Sequence, residues 1–402
     1  MYSIVTMLIS RYADNLVRQL LTTPKILIVV GPRQVGKTTL IKQVLQEKGG
    51  KLLNFDVEVD KQRFLAAGSL DPVDAIKSLG NPLVLALDEA QRLPQAARIL
   101  KGWYDRGASV KMILLGSSSL DLLDQSAESL TGRNVKLFLP PFLFDEIIEA
   151  ESWYSPEFSR DKLASSFNKQ IETLLLQSIV FGSYPEAVTA SDKEGYLLNL
   201  VSDYLLKDVF QSGIIKTPEL IKKIILLLAH QAGAEVSVNE LSRAAGISRP
   251  TVERYLELLE RTFVIFRLPS FSTNPRKEIS KSQKIFFWDT GVRNALLKEF
   301  SFSPLRGDIG KLWENWVIAE FAKRNAFNGE RASLYFWRTR DGSEVDLVVR
   351  RGESLSAYEI KWNDKARERT LNAFSKKYGV PVHLITPARA ALLGEIAKSI
   401  FI

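Results

Sequence analysis

The stretch GPRQVGKTTL, residues 31–40, sets two glycines five positions apart and follows the second with a lysine and two hydroxyls. Phosphate oxygens crowd negative charge into a small volume. Backbone N–H groups can meet that charge only where no side chain intervenes, which Gly31 and Gly36 allow. The candidate nucleotide contacts are therefore Gly31, Pro32, Arg33, Gln34, Val35, Gly36, Lys37, Thr38 and Thr39. Lys37 brings a point charge to the β and γ oxygens, Thr38 a hydroxyl for Mg²⁺, and the helix that follows its positive end. Downstream, LVLALDEAQ ends an apolar run on Asp88 and Glu89. One carboxylate can hold the Mg²⁺ shell while the other orients water on the γ-phosphate. Together the two motifs predict binding and hydrolysis of ATP.

Two further residues carry weaker expectations. Ser117, in LLGSSS at the end of another apolar run, suits a sensor that bonds the attacking water or the γ-phosphate; a hydroxyl at a strand end is also an ordinary turn residue. Arg133, in SLTGRNVKLF, is placed to reach the γ-phosphate of a neighbouring subunit. Spacing alone favours the plainer reading, a surface arginine in a glycine-containing turn.

A second group of reactive side chains lies near the C-terminus. EVDLVV and AYEIKW put Asp346 in one strand and Glu359 with Lys361 in the next. An Asp and a Glu at matching height on paired strands can share a divalent cation. A lysine two residues on, on the same face, can activate water for attack on a phosphodiester. Glu314, on the preceding helix, is the candidate third carboxylate. The plain alternative is a solvated strand face, because E-x-K is common in alternating strands.

Positioning these residues takes a particular set of elements. KILIVV, KLLNF, PLVLALDE, KMILLGSSS and NVKLFLP alternate with helical-length segments, which predicts a parallel sheet covered on both faces. From 159 to 230 the apolar spacing turns helical and predicts a lid on the nucleotide domain. Residues 236–268 read as helix, turn at Gly246 and second helix, with Ser248 as N-cap and Pro250 in the first turn. Two strands around a basic loop follow, a wing in which Arg276, Lys277, Lys281 and Lys284 suit phosphate contacts. Arg249, Thr251 and Arg254 open the second helix, the end that enters a major groove; appended winged helices also serve as lids or protein contacts. The last unit reads as helix 311–326, three strands, helix 364–378 and a final strand.

Composition narrows the chemistry. The 402 residues include no cysteine and only His230 and His383, so disulfides, thiolate zinc sites and histidine-rich metal sites are excluded or nearly so. No apolar run approaches the roughly 20 residues that span a bilayer, and the N-terminal MYSIVTMLIS lacks the features of a cleaved leader, which predicts a cytoplasmic protein with no membrane partner. The net charge is +8. Residues 1–230 hold 26 basic and 26 acidic side chains, whereas residues 231–402 hold 28 and 20, so the excess lies in the C-terminal part and points to DNA. A solvated basic surface without a partner has the same composition.

The motifs GPRQVGKTTL, LALDEAQRLP, LLGSSSLDLL, SLTGRNVKLFLPPF and FGSYPEAV, with YLLKDVF, FFWDTGVRNALL and LWENWVIAEF, resemble prokaryotic AAA-type ATP-binding proteins that carry a C-terminal domain of unknown function. The resemblance covers nearly the whole chain. It implies Lys37 and Thr38 on phosphate and Mg²⁺, Asp88 and Glu89 as the acidic pair, Ser117 as sensor and Arg133 as a finger acting in trans within a homo-oligomer. Related nucleotide switches carry a Gly-x-Pro lid motif on the base, to which Gly182, Ser183, Tyr184 and Pro185 correspond loosely. The C-terminal residues resemble the PD-(D/E)XK nucleases, in which the residues matching Glu314, Asp346, Glu359 and Lys361 hold metal and water. The expectation is an α/β chain with a P-loop AAA-type parallel-sheet domain at 1–158 and a helical lid at 159–230. A winged helix-turn-helix at 231–300 and a restriction-endonuclease-like domain at 301–402 complete it. ATP and Mg²⁺ are the cofactors and DNA the partner. The activity expected is ATP hydrolysis controlling a DNA-binding, Mg²⁺-dependent nuclease half; the alternative is an ATP-dependent switch that does not cut and binds DNA or a protein partner. A kinase lacks any visible acceptor motif.

Overall fold

A computed structural model describes residues 9–116, 130–205, 218–272, 283–339, 341–363 and 371–401. Ser117, Arg276, Lys277 and Lys281 lie outside the described residues. The chain divides into a first unit, 10–140 with 261–263, and a second that runs from 141 to 260 and from 264 onward.

The first unit contains α1 (Tyr12–Leu21), β1 (Ile26–Val30), α2 (Lys37–Lys48), β2 (Gly50–Asn54), α3 (Glu58–Gly68), α4 (Pro72–Ser78), β3 (Val84–Asp88), α5 (Gln95–Asp105), β4 (Lys111–Gly116) and β5 (Asn134–Phe138). The five apolar runs are thus its five strands. They pair in parallel in the order β2-β3-β4-β1-β5. Every residue of β1 and β3 is buried, as unbroken apolar runs must be when both faces of a parallel sheet are covered. Phe64 anchors the α3 side, its ring 5.3 Å from that of Phe55 and 5.5 Å from that of Trp103. Because all strands run the same way, the chain leaves β1 and β3 at one edge of the sheet, the edge where α/β proteins bind ligands.

The second unit begins with α6 (Phe144–Glu149), α7 (Arg160–Ser166), α8 (Asn168–Phe181), α9 (Pro185–Thr189), α10 (Lys193–Asn199) and α11 (Pro218–His230). Next come β6 (Glu235–Val236), α12 (Val238–Ala245), α13 (Arg249–Arg261), β7 (Ile265–Pro269) and β8 (Gln283–Phe287), whose strands form an antiparallel sheet in the order β6-β8-β7. Then α14 (Thr290–Leu297) and α15 (Ile309–Phe327) lead to β9 (Ser333–Arg338), β10 (Glu344–Arg351), β11 (Ser354–Ile360), α16 (Leu371–Tyr378), β12 (Val382–Ile385) and α17 (Leu393–Phe401). The sheet order is β12-β11-β10-β9, with β10 antiparallel to both neighbours and β12 parallel to β11.

The expected boundaries at 158/159 and 230/231 do not coincide with this division. Ile171, Leu175 and Ile179 of α8 share one core with Trp313, Trp316 and Phe321 of α15 and with Leu347 and Ile360 of the four-stranded sheet. The helices expected as a lid on the nucleotide domain therefore belong to the second unit, because their apolar faces are spent there.

A buried polar network ties this unit together. Lys323 of α15 is 2 % exposed; its Nζ donates to Phe142 O at 3.0 Å and Ser183 Oγ at 2.9 Å, and lies 3.0 Å from Glu320 Oε1. Glu320 Oε2 accepts from Phe144 N at 3.1 Å, and Asp289 Oδ2 accepts from Ser183 N at 2.7 Å. Gly182, at φ +71°, is packed so closely that a Cβ would lie 1.9 Å from Asp289 Oδ1. Each buried charge thus has a charged or hydrogen-bonding partner, without which burying it would cost several kcal/mol.

Candidate functional site

The loop after β1 is built for close approach. Gly31 has no room for a side chain, since a Cβ would lie 2.2 Å from Leu139 O, and Gly36, at φ +91°, caps α2 in the left-handed region. Gln34 also has positive φ, 62°. Lys37 Nζ donates to Gly31 O at 2.9 Å and Pro32 O at 2.8 Å, so the ammonium rests on the loop itself. Thr38 Oγ1 donates to Asp88 Oδ2 at 2.7 Å, although 50 residues separate them in the chain. β4 lies between β1 and β3, and the parallel register brings both strand ends to the same edge.

Glu89 follows at φ 49° with Gln91 Nε2 on its Oε2. Burial raises the pKa of its carboxyl above the usual range, against the opposing pull of Lys37 and Arg33. The arrangement fits Mg²⁺ in company with a nucleotide. A hydroxyl and a carboxylate already in contact form a pair of hard oxygen donors, and a cationic side chain lies along the loop.

Sequence reasoning overlooked Arg11. Its guanidinium donates to Val35 O at 2.7 Å and Pro140 O at 2.8 Å, bracing the phosphate loop against the segment that follows β5. No local motif marks such a residue, because both acceptors are carbonyls distant in sequence.

Arg133 lies just before β5, where Asn134 pairs with Ile26 at the start of β1. Its own chain's phosphate loop leaves the other end of β1, roughly 16 Å away by strand rise. The side chain forms a forked pair with Asp105, 2.5 Å from Nε to Oδ1 and 3.1 Å from Nη2 to Oδ2. Pro185 is the first residue of α9, and the adjoining Gly182 and Ser183 are held by Asp289.

In the second unit, Asp346 and Glu359 stand opposite each other one step beyond the pairing of Leu347 with Tyr358. The β9–β10 ladder shifts register between Val345 and Val348, the interval that holds Asp346 and Leu347, an irregularity of the kind that re-aims a side chain. Asp346 Oδ2 accepts from Ile360 N at 2.7 Å and from Lys361 Nζ at 3.2 Å. Lys361 Nζ is also 2.6 Å from Glu359 Oε1, while Glu359 Oε2 is buried with no hydrogen-bond partner among the described residues.

Glu314 takes a different cation. Lys284 of β8 places its Nζ 2.8 Å from Glu314 Oε1 and 2.5 Å from Glu344 Oε1, and is 4 % exposed. Burial and then the charge of Asp346 raise Glu314 to about 7, with Lys284 pulling the other way. Burial likewise raises Glu359, again with Asp346 behind it. Burial opposes the charged form of both lysines, but the facing carboxylates outweigh it and hold each pKa above the ordinary lysine value.

This corrects two expectations. Lys284 does not point to solvent as a phosphate contact; its charge is consumed inside the fold. Among the described residues, no group of three or more Asp, Glu, His or Cys side chains is arranged to hold a metal ion. Glu314, Asp346 and Glu359 do converge on one region, but two ammonium groups stand among them, so the cluster as arranged does not fit a divalent cation. The signal for Lys284 was present in QKIFFW: it alternates in phase with Phe286, a fully buried residue.

Comparison with known proteins agrees with this geometry. Residues 23–148 match the family described as AAA domain, 172–303 a domain of unknown function (DUF8612), and 309–393 another (DUF4143). An uncharacterized protein of Mycobacterium bovis is 30% identical over 359 residues, 87% of this chain and 73% of its own. One from Methanocaldococcus jannaschii is 27% identical over 366 residues, 88% and 78% of the two chains. This chain belongs to that family: AAA-type ATPase-like proteins with a C-terminal domain of unknown function. Among solved structures, a signal transduction ATPase with numerous domains from Pyrococcus horikoshii matches at TM-score 0.28 and 10% identity, over 81% of this chain and 49% of its own, a slight likeness. Among the described residues no helix is long and apolar enough to cross a membrane.

Proposed function

We propose that the chain hydrolyses ATP and that its nucleotide state governs a DNA-binding second unit. The observation that carries the first half is the 2.7 Å bond from Thr38 Oγ1 to Asp88 Oδ2 beside Lys37. Thr38 and Asp88 would hold Mg²⁺, which when bound neutralises phosphate charge. Lys37 moves from the carbonyls of Gly31 and Pro32 to the β and γ oxygens, and the loop N–H groups close around the phosphates. Glu89 accepts the proton of the attacking water, and its raised pKa makes it a stronger base than an exposed glutamate. Arg133, released from Asp105, serves a neighbouring chain's nucleotide, which requires at least a dimer.

For the second unit, α12 and α13 with the β6-β8-β7 sheet support a winged helix, and exposed Arg249 and Arg254 are its DNA contacts. The β12-β11-β10-β9 sheet, with α15 before it and α16 between β11 and β12, supports a restriction-endonuclease-like fold. We read that fold as a DNA-holding surface, since its carboxylates are already met by lysines. A second reading, Mg²⁺-dependent cutting by Asp346, Glu359 and Lys361, is favoured by the unsatisfied Glu359 Oε2.

The test is binding and cleavage of linear, flapped and four-way DNA, with and without ATP, by wild type, Lys37→Ala and Asp346→Ala. ATP-dependent binding lost in Lys37→Ala, with no cutting, is the expected result. Cutting abolished by Asp346→Ala establishes the second reading, and no DNA binding under any condition overturns the DNA half.

A further inference from the structure

Arg11 is buried, and its two terminal nitrogens serve two different stretches of the chain. Nη1 donates to Val35 O at 2.7 Å and Nη2 to Pro140 O at 2.8 Å. Val35 O belongs to the same planar peptide as the N–H of Gly36, one of the loop donors expected to face a phosphate, and in a trans peptide the two point opposite ways. A guanidinium that grips the carbonyl therefore fixes the aim of that N–H. Pro140 is the last residue of the first unit before the chain enters the second at Pro141. Its neighbour is also pressed on the loop: Leu139 N donates to Val30 O at 2.8 Å, and Leu139 O stands where Gly31 has no room for a Cβ. Beyond the prolines, Phe142 N donates to Ser183 O at 2.8 Å, Phe142 O accepts from Lys323 Nζ at 3.0 Å and Phe144 N donates to Glu320 Oε2 at 3.1 Å. Only Pro140 and Pro141 separate Leu139 from Phe142, and each proline ring fixes its own φ.

Resting on the reading of the loop as an ATP site, we propose that Arg11 is a positioning residue that carries occupancy of the phosphate loop to residues 139–144, the stretch by which the chain enters the second unit. A phosphate oxygen that accepts from Gly36 N–H polarises the shared peptide and makes Val35 O a stronger acceptor for Arg11. A guanidinium is a rigid plane with its donors in a fixed fork, so a firmer hold on Val35 O is a firmer hold on Pro140 O. The two prolines then pass the restraint on instead of absorbing it in backbone rotation. Phe142 and Phe144 receive it, because their backbone groups are already tied to Ser183, Lys323 and Glu320. The influence of nucleotide on the second unit thereby gains a route through named atoms of this chain.

The test is amide hydrogen exchange of the full chain, read at Phe142, Leu143 and Phe144, without nucleotide and with a non-hydrolysable ATP analogue and Mg²⁺ at concentrations that saturate each protein. In wild type the analogue is expected to slow exchange there at least about fivefold. Arg11→Met is expected to bind the analogue more weakly and, once saturated, to lose that slowing. Pro141→Gly leaves Arg11 and both its acceptors in place, and is expected to bind the analogue as wild type does while also losing the slowing. A brace with no part in transmission would speed exchange in Arg11→Met equally with and without the analogue and keep the fivefold ratio; that result overturns the proposal. So does a wild type that binds the analogue with no change at 142–144. If Arg11→Met does not fold or does not bind, Pro141→Gly decides: a lost response supports the proposal and a retained one overturns it. A wild type that binds no analogue overturns the ATP reading and the proposal with it, whereas the other failures leave that reading standing. None of these readouts depends on whether the chain binds DNA.

Discussion

The two units each bring lysines together with carboxylates and treat them in opposite ways. In the first, Lys37 donates to neutral carbonyls and Asp88 accepts from a neutral hydroxyl. In the second, Lys284, Lys361 and Lys323 lie against carboxylates. Hydrogen bonds to neutral groups are weak enough to exchange for phosphate and metal, whereas a buried ion pair costs several kcal/mol to open. The first unit is therefore built to receive charge from outside, and the second is already neutralised from within.

Breaking that contrast should show first in stability. Lys323→Met removes the 3.0 Å partner of buried Glu320 and leaves it the longer 3.7 Å pairing with Arg324, and an equilibrium urea titration should register a loss of about 3 kcal/mol. Lys37→Ala should behave in the reverse manner. ATP hydrolysis, followed by phosphate release, should fall at least about 100-fold, while the urea midpoint moves less than for Lys323→Met, since the Lys37 ammonium donates to the carbonyls of Gly31 and Pro32. If Lys37→Ala instead unfolds the first unit, the contrast fails.

Gly182→Ala sharpens the comparison within the second unit. It forces a Cβ against Asp289 in a left-handed backbone, and should cost about 1–3 kcal/mol in the same titration. A smaller effect is expected for Arg249→Ala with Arg254→Ala: DNA affinity falls and its salt dependence becomes shallower, with ATP hydrolysis unchanged.

The pH profile offers a further discrimination. Because burial raises the Glu89 pKa, the acid limb of kcat should lie above the usual glutamate value of 4.5. The rate falls as pH drops through that raised pKa, when the base becomes protonated, and the limb should disappear in Glu89→Gln.

What could be read from sequence followed how local the signal was. The phosphate loop, β1 to β5, and the order of helices and strands after 309 were legible because apolar periodicity and glycine placement are properties of short segments. The membership of α8 was not, since its apolar face does not say whether Leu175 meets the nucleotide domain or Trp313. The C-terminal residues were picked out by spacing, but the side chain that decides their chemistry, Lys284, lies on a different sheet. Its charge suggested solvent, and only the meeting of β8 with α15 and β10 shows that it is spent inside. Arg11 was invisible for the same reason, as both its acceptors are backbone atoms brought near by the fold.

The most direct test of the central claim is a paired measurement on wild type and Glu89→Gln: binding of a fluorescent ATP analogue and phosphate release from Mg²⁺-ATP on the same preparations. The account predicts that both proteins bind nucleotide and that only wild type releases phosphate, with the variant slower by at least about 100-fold. Phosphate release by Glu89→Gln at the wild-type rate, or no nucleotide binding by wild type, would contradict it.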